Sequence, residues 1–270
     1  MIRELLLIDL WNYKTFDAAL CEMLQENSEL IFNYYVEDQR LLDEHLNSNP
    51  YKSLGSNKHA DGFMKLFERL IPLLHESRFR VWHYTRLLTH EVTSMEQALE
   101  LSTLDSLKRR LDKLRQMELL TQQETEIILD QTVFHKQQDI RSNRIWTVTV
   151  PKPPECSGVE LLLKNWGGEA CYFWLSNQQV VQKLMTIGTP RIIEIEIALG
   201  DKLKAHCAAK TIVEAWANYL GVLIKITGCD MEISSCIKTA KVLHVHSAGD
   251  GTFEKIATTY PIGCSQILTI

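Results

Sequence analysis

The run Arg78-Phe79-Arg80-Val81-Trp82-His83-Tyr84-Thr85-Arg86-Leu87 alternates as a β-strand does. Val81, His83, Thr85 and Leu87 fall on one face, Arg80, Trp82, Tyr84 and Arg86 on the other. A second run, 191–199, sets Ile193, Ile195, Ile197 and Leu199 against Ile192, Glu194, Glu196 and Ala198, one apolar face and one bearing two acids. Further strands are expected at 144–150, 222–226 and 241–246, with a turn at 151–158. Helices are expected at 17–25, 28–46 and 61–75, where Pro72 predicts a late start, a kink or a stop. Others are expected within 94–134, where Leu99, Leu101, Leu104, Leu107, Leu111 and Leu114 mark one apolar stripe and Thr121 to Glu124 is a capping box, then at 176–185, at 206–220 closed by Gly221, and briefly after Gly251. The total predicts an α+β protein: a helical N-terminal region over 1–76 and a core over 77–270 built on a mainly antiparallel sheet. The polar stretch 47–61 reads as a mobile loop or internal boundary.

With 45% apolar and 23% charged residues, the chain reads as an ordinary soluble globular protein. A net charge of −5 argues against a generally basic nucleic-acid coat while leaving room for a local basic groove. Seven scattered cysteines without a Cys-x-x-Cys pair read as reduced thiols of a cytoplasmic protein and offer no structural zinc site. The apolar start, Leu5-Leu6-Leu7-Ile8, is broken by Glu4 and Asp9, so it is expected to begin a strand or helix and neither to span a membrane nor to direct export.

The stretch Glu160 to Trp174 joins an apolar helical run to an apolar strand-like run through Trp166-Gly167-Gly168-Glu169. Two adjacent glycines allow positive φ, so the side chain after them can be aimed where a regular strand cannot aim it. Glu169 is expected on a strand, partly desolvated among Trp166, Tyr172 and Trp174, an environment suited to a cationic or planar ligand. A salt-bridged core glutamate fits the same residues.

On the first strand, His83 can hydrogen-bond a ribose hydroxyl, Tyr84 can stack a base and Arg86 can pair with a pyrophosphate, together the grip a dinucleotide needs. A structural histidine is the competing reading. The segment 135–146 supplies Arg141 and Arg144 for an anion and Trp146 for stacking, or is a solvated loop. Lys108, Arg109, Arg110, Lys113 and Arg115 make one helix basic, either a solvated face or a contact for phosphates. His244 and His246 share a strand face without a third ligand at recognisable spacing. The sequence has no Gly-x-Ser-x-Gly elbow, no phosphate-binding Gly-x-x-x-x-Gly-Lys-Ser/Thr loop and no Gly-x-Gly-x-x-Gly fingerprint, which disfavours hydrolase, ATPase and Rossmann readings.

Taken together, Arg80 to Leu87, Arg141-Ser142 before Trp146, Gly158 to Leu162 leading to Trp166-Gly167-Gly168-Glu169, Tyr172-Phe173-Trp174 and Ile187-Gly188-x-Pro190-Arg191 resemble a bacterial ADP-ribosyltransferase-like family over roughly residues 78 to 200. The resemblance implies a split, mainly antiparallel sheet and NAD as substrate. It implies His83 as the ribose-binding residue and Glu169 as the catalytic acid, with Glu194 and Glu196 competing, and Trp146 or Tyr172 at the family's aromatic position. It further implies a toxin of a phage-defence toxin–antitoxin system, acting on RNA, DNA or a protein acceptor, with an antitoxin protein as partner and no membrane. A non-enzymatic interaction protein, an antitoxin or defence sensor on a degenerate transferase core, is the alternative.

Overall fold

The computed structural model describes residues 7–47, 55–75, 77–199, 202–234 and 238–256. In chain order these form β1 (Leu7–Ile8), α1 (Ala18–Glu26), α2 (Ser28–Asn47), α3 (Ala60–His75), β2 (Arg78–Leu87), α4 (Thr89–Gln97), α5 (Leu104–Gln116) and α6 (Gln122–Asp130). Then come α7 (Gln138–Arg141), β3 (Ile145–Val148), α8 (Glu160–Lys164), α9 (Glu169–Tyr172), α10 (Gln178–Leu184), β4 (Thr189–Ala198), α11 (Lys202–Tyr219), β5 (Asp230–Ile233) and β6 (Lys241–Ser247). The fold class is α+β. Among the described residues no helix is long and apolar enough to cross a membrane.

The described residues group into two compact units, one drawn from the stretches up to 80 and from 198 to 229, the other from 81–197 and the described residues after 229. The expected single division at residue 77 therefore misses a return: α11 goes back to the first unit. There it packs on α3 and α2, and Ala205, Ala208 and Ala209, at i, i+3 and i+4, present a fully buried small-residue face that lets helix backbones approach closely. Pro72 neither stops nor delays α3, which runs on to His75. At the start of β2, Leu7 and Ile8 pair in parallel with Arg78 and Phe79, and Asp9 holds Arg80 at 3.1 Å. The expected loop at 47–61 lies partly outside the described residues.

The second unit holds the sheet, in the order β5-β3-β2-β4-β6. The ladders β2 to β3, β3 to β5 and β4 to β6 are antiparallel. As a central strand, β2 is buried from both sides: Val81, Thr85 and Leu87 on one face, Trp82 and Tyr84 on the other. The apolar face of β4 is buried as its alternation predicts, and Ile192, expected on the polar face, is buried as well. Leu107, Leu111 and Leu114 of α5 close a core with Ile128, Trp166 and Leu184.

Four sequence expectations are corrected. The stripe expected to run through Leu99 and Leu101 is interrupted, because Thr103 caps α5 and Ser102 pairs with Arg144 in an isolated bridge. Residues 170–174 are not a strand; they follow a sharp turn into the short helix α9. Residues 222–226 form no strand either, and side chains of α11 take backbone groups in and just after the segment. Asn218 exchanges hydrogen bonds with Ile224, and Glu214 accepts from the amide and hydroxyl of Thr227 at 2.6 Å each. Among the described residues after Gly251, up to 256, there are turns and no helix.

Candidate functional site

His83 sits half-buried on β2, with Nδ1 2.8 Å from the carbonyl oxygen of Trp146 on β3. A carbonyl only accepts, so Nδ1 carries the proton and Nε2 is left as an acceptor; it makes no hydrogen bond among the described residues. Burial lowers the imidazole pKa, the Trp146 carbonyl opposes that by favouring the charged ring, and the nearby Arg110 charge lowers it further. The net direction is down, so His83 is a neutral ring at neutral pH.

Its neighbours on the strand are less available. Tyr84, only 3% exposed, donates its hydroxyl to the carbonyl of Lys152 at 2.7 Å and accepts from the Lys152 amide at 2.6 Å. The expected base-stacking role for Tyr84 is corrected: the ring is packed inside and its polar tip holds the 151–158 turn. Arg86 is half-buried, its Nε donating to the Ile187 carbonyl at 2.7 Å and its Nη1 reaching the Leu163 carbonyl at 3.4 Å. Among the described residues no carboxylate pairs with it, and burial lowers its pKa. A guanidinium has five N–H donors, so Arg86 keeps several for an anion. Gly188 makes this geometry accessible: at φ +71, a Cβ there would stand 2.7 Å from the Leu87 backbone.

Glu169 opens α9 directly after Gly167 at φ +79 and Gly168 at φ +57, ψ −154, the latter a backbone region open essentially to glycine alone. The amides of Cys171 and Tyr172 donate to the Gly168 carbonyl at 2.9 and 3.2 Å, closing the turn. Glu169 pairs through Oε2 with Nη1 of Arg141, and its side chain keeps about a third of its exposure, 32%. Of the three rings expected around it, only Tyr172 shares its surroundings. Burial pushes the Tyr172 hydroxyl up to about 12, the Glu169 charge adds to the rise and Arg141 opposes it. Trp166 is instead wholly buried, and Trp174 lies beneath Lys136, 5.4 Å from its ring centroid.

The sequence candidates thus form two sets. His83 is tied to the backbone of Trp146, whose indole is 37% exposed, and Arg141, Glu169 and Tyr172 form the other set. No direct hydrogen bond or ion pair joins His83 to Glu169. Arg144 is committed to Glu232 of β5 and the Asp139 carbonyl. On β4, the neighbour of β2, Glu194 Oε1 stands 3.0 Å from His246 Nε2, with the His244 ring edge-on to that of His246 at 4.3 Å. Among the described residues no group of three or more histidines, cysteines or acids is placed to hold a metal ion.

The basic helix α5 is largely neutralised. Lys108 pairs with Asp105, Arg109 with Glu100, Arg110 with Glu91 and Arg115 with Asp112; of the five cations, Lys113 alone has no carboxylate partner among the described residues. Sequence reasoning passed over Glu91. Its one visible signal is an acid three residues after Leu88 at a helix start, whose carboxylate accepts from the Leu88 amide at 2.8 Å.

In comparisons with known proteins, no family model, no curated protein and no solved structure matches this chain.

Proposed function

We propose that the chain is an NAD-dependent ADP-ribosyltransferase whose antiparallel sheet is a split transferase core, with His83 gripping a ribose and Glu169 as the reacting acid. The observation that carries this reading is His83: a neutral imidazole fixed through Nδ1 to a main-chain carbonyl, with Nε2 turned into an acceptor for a sugar hydroxyl. The Trp146 indole, exposed on β3, offers a ring face for nicotinamide or adenine, and Arg86, without a carboxylate partner among the described residues, offers donors to the pyrophosphate. In the reaction the C1′–N bond of NAD breaks, nicotinamide leaves with the electron pair, and an acceptor oxygen or nitrogen bonds C1′ as its proton passes to solvent. The Glu169 carboxylate stabilises the positive charge that develops on the ribose, a contribution of about 3 to 4 kcal/mol. Glu194 is the competing acid, on the strand next to that of His83. The acceptor in this reading is a nucleic acid or a protein, the setting a cytoplasmic toxin restrained by an antitoxin.

A second reading has its own support. The Tyr84 hydroxyl is used by Lys152 and Arg141 by Glu169, so two of the expected ligand groups serve the fold, as in a non-enzymatic interaction protein on a degenerate core. Calorimetry with NAD, followed by detection of free nicotinamide, separates the two. Binding with nicotinamide release supports the transferase; no binding at NAD on the order of millimolar, the upper range of substrate KM values, overturns it.

A further inference from the structure

Trp166 is the most confined large side chain near the candidate acid, and a charged pair confines it. Its indole N–H donates to Glu91 Oε2 at 2.8 Å across 75 positions of sequence. Glu91 Oε1 accepts from Arg110 Nε at 2.7 Å, and the Arg110 guanidinium lies over the indole face, 4.5 Å from its centroid. The three come from α4, α5 and the segment before α9, so the contacts bind three separate elements at one point. An apolar core would accept a phenylalanine and a leucine here at lower desolvation cost. Among the described residues the node even leaves Arg110 Nη2 buried without a hydrogen-bond partner, a penalty that packing alone does not call for.

The residues just after Trp166 supply the reason. Gly167 and Gly168 take positive φ, and a Cβ on Gly167 would stand 2.2 Å from the Cys171 sulfur. The turn thus has one path, anchored upstream by Trp166 and pressed downstream by Cys171, and Glu169 leaves it immediately.

We infer that Glu91, Arg110 and Trp166 are positioning residues: together they hold the Gly167–Gly168 turn in the path that aims Glu169. The catalytic half of this inference rests on the reading of Glu169 as the reacting acid; the conformational half does not.

Two variants test it against a control in the same core. Trp166→Phe removes the indole N–H with its five-membered ring, and Glu91→Gln removes the charge and turns one accepting oxygen into a donor, whereas Leu111→Ala opens the apolar core that Trp166 shares and leaves the three side chains of the node in place. Amide hydrogen exchange at Cys171 and Tyr172, the donors that close the turn, should speed up about tenfold in both node variants, the equivalent of one hydrogen bond, with the β3 to β5 ladder unchanged. Nicotinamide release should lose about tenfold in kcat while the KM for NAD stays within about threefold. Leu111→Ala should lower Tm yet leave kcat at wild-type level below that Tm. Arg110→Lys, which keeps the charge, should retain more kcat than Arg110→Met. If the node variants match Leu111→Ala in exchange and kinetics, the three residues are ordinary core and the inference fails. Should the wild type release no nicotinamide, the transferase reading falls, and the exchange comparison alone still decides whether the node holds the turn.

Discussion

His83 and Glu169 are held by opposite means. Strand pairing fixes the histidine: β2 lies between β3 and β4, Trp82 next to it pairs with Val148, and a carbonyl of β3 accepts from Nδ1. The glutamate depends on an irregular turn that only glycine can make, followed by a four-residue helix and an ion pair to Arg141. A ladder spreads its support over many backbone bonds, so losing one side chain leaves the neighbours in place. A turn built on two glycines concentrates its support in a few contacts, and small changes there should propagate to the side chain it carries.

The largest effect expected from that contrast is on chemistry. Glu169→Gln keeps the shape and removes the charge, so nicotinamide release should fall by roughly 100- to 1000-fold with NAD affinity little changed. The same loss in Glu194→Gln, with Glu169→Gln near wild type, would move the acid to β4. Next comes the turn itself: Gly167→Ala adds a strained φ and a clash with Cys171, and should cost about 2 to 4 kcal/mol in chemical denaturation. Adding Cys171→Ala should restore the clash portion and leave the φ portion; simple additivity of the two changes would show that the contact does not confine the turn.

At the ladder, His83→Ala should weaken NAD binding about tenfold with a smaller effect on turnover, because a ribose hydrogen bond is present in ground and transition states alike. Because its pKa is lowered, NAD affinity in the wild type should stay flat through neutral pH. It should fall only on the acid side of the ordinary histidine value, about 6.5, where protonation turns Nε2 from acceptor to donor. A decline beginning above that value would contradict the neutral-ring assignment. The smallest expected effect is Glu124→Gln. Burial pulls the Glu124 carboxyl upward, but Lys183 at 2.7 Å and the capping bonds to Thr121 outweigh it and hold the pKa below its ordinary range. Its stabilisation is therefore present above the unfolded value of about 4.3 and is lost as pH falls through the folded one. The Tm gap between wild type and variant should reflect about 1 kcal/mol near neutrality and close in acid.

The sequence was most readable where one period governed a whole element. Period-two alternation located β2 and β4, and helical spacing with a capping box located α5 and α6, because both patterns come from burial of one face. It misled where side chains replaced a ladder. Val222, Leu223, Ile224 and Ile226 look like a strand, yet Asn218 and Glu214, a few residues upstream, claim the backbone groups a strand partner would need. Likewise Ala170 to Trp174 carries strand-forming residues, and the two glycines before them turn the chain into a helix instead. The ion pair of Arg141 with Glu169 joins positions 28 apart and the bond of Trp166 with Glu91 positions 75 apart, with no shared period to mark them. Residue type alone singles out Arg141, Trp166 and Glu169, but it does not say which group each one meets.

The internal pairing of α5 has a consequence for any polyanionic acceptor. Polyelectrolyte binding draws most of its affinity from displaced counterions, and each free cation that reaches a phosphate contributes close to one power of salt concentration. Cations already matched to Asp105, Glu100, Glu91 and Asp112 have no such release to give, and Lys113 is left with about one phosphate's worth. Association of RNA or DNA with this helix should therefore show a log-affinity slope against log salt near about −1, with little long-range steering.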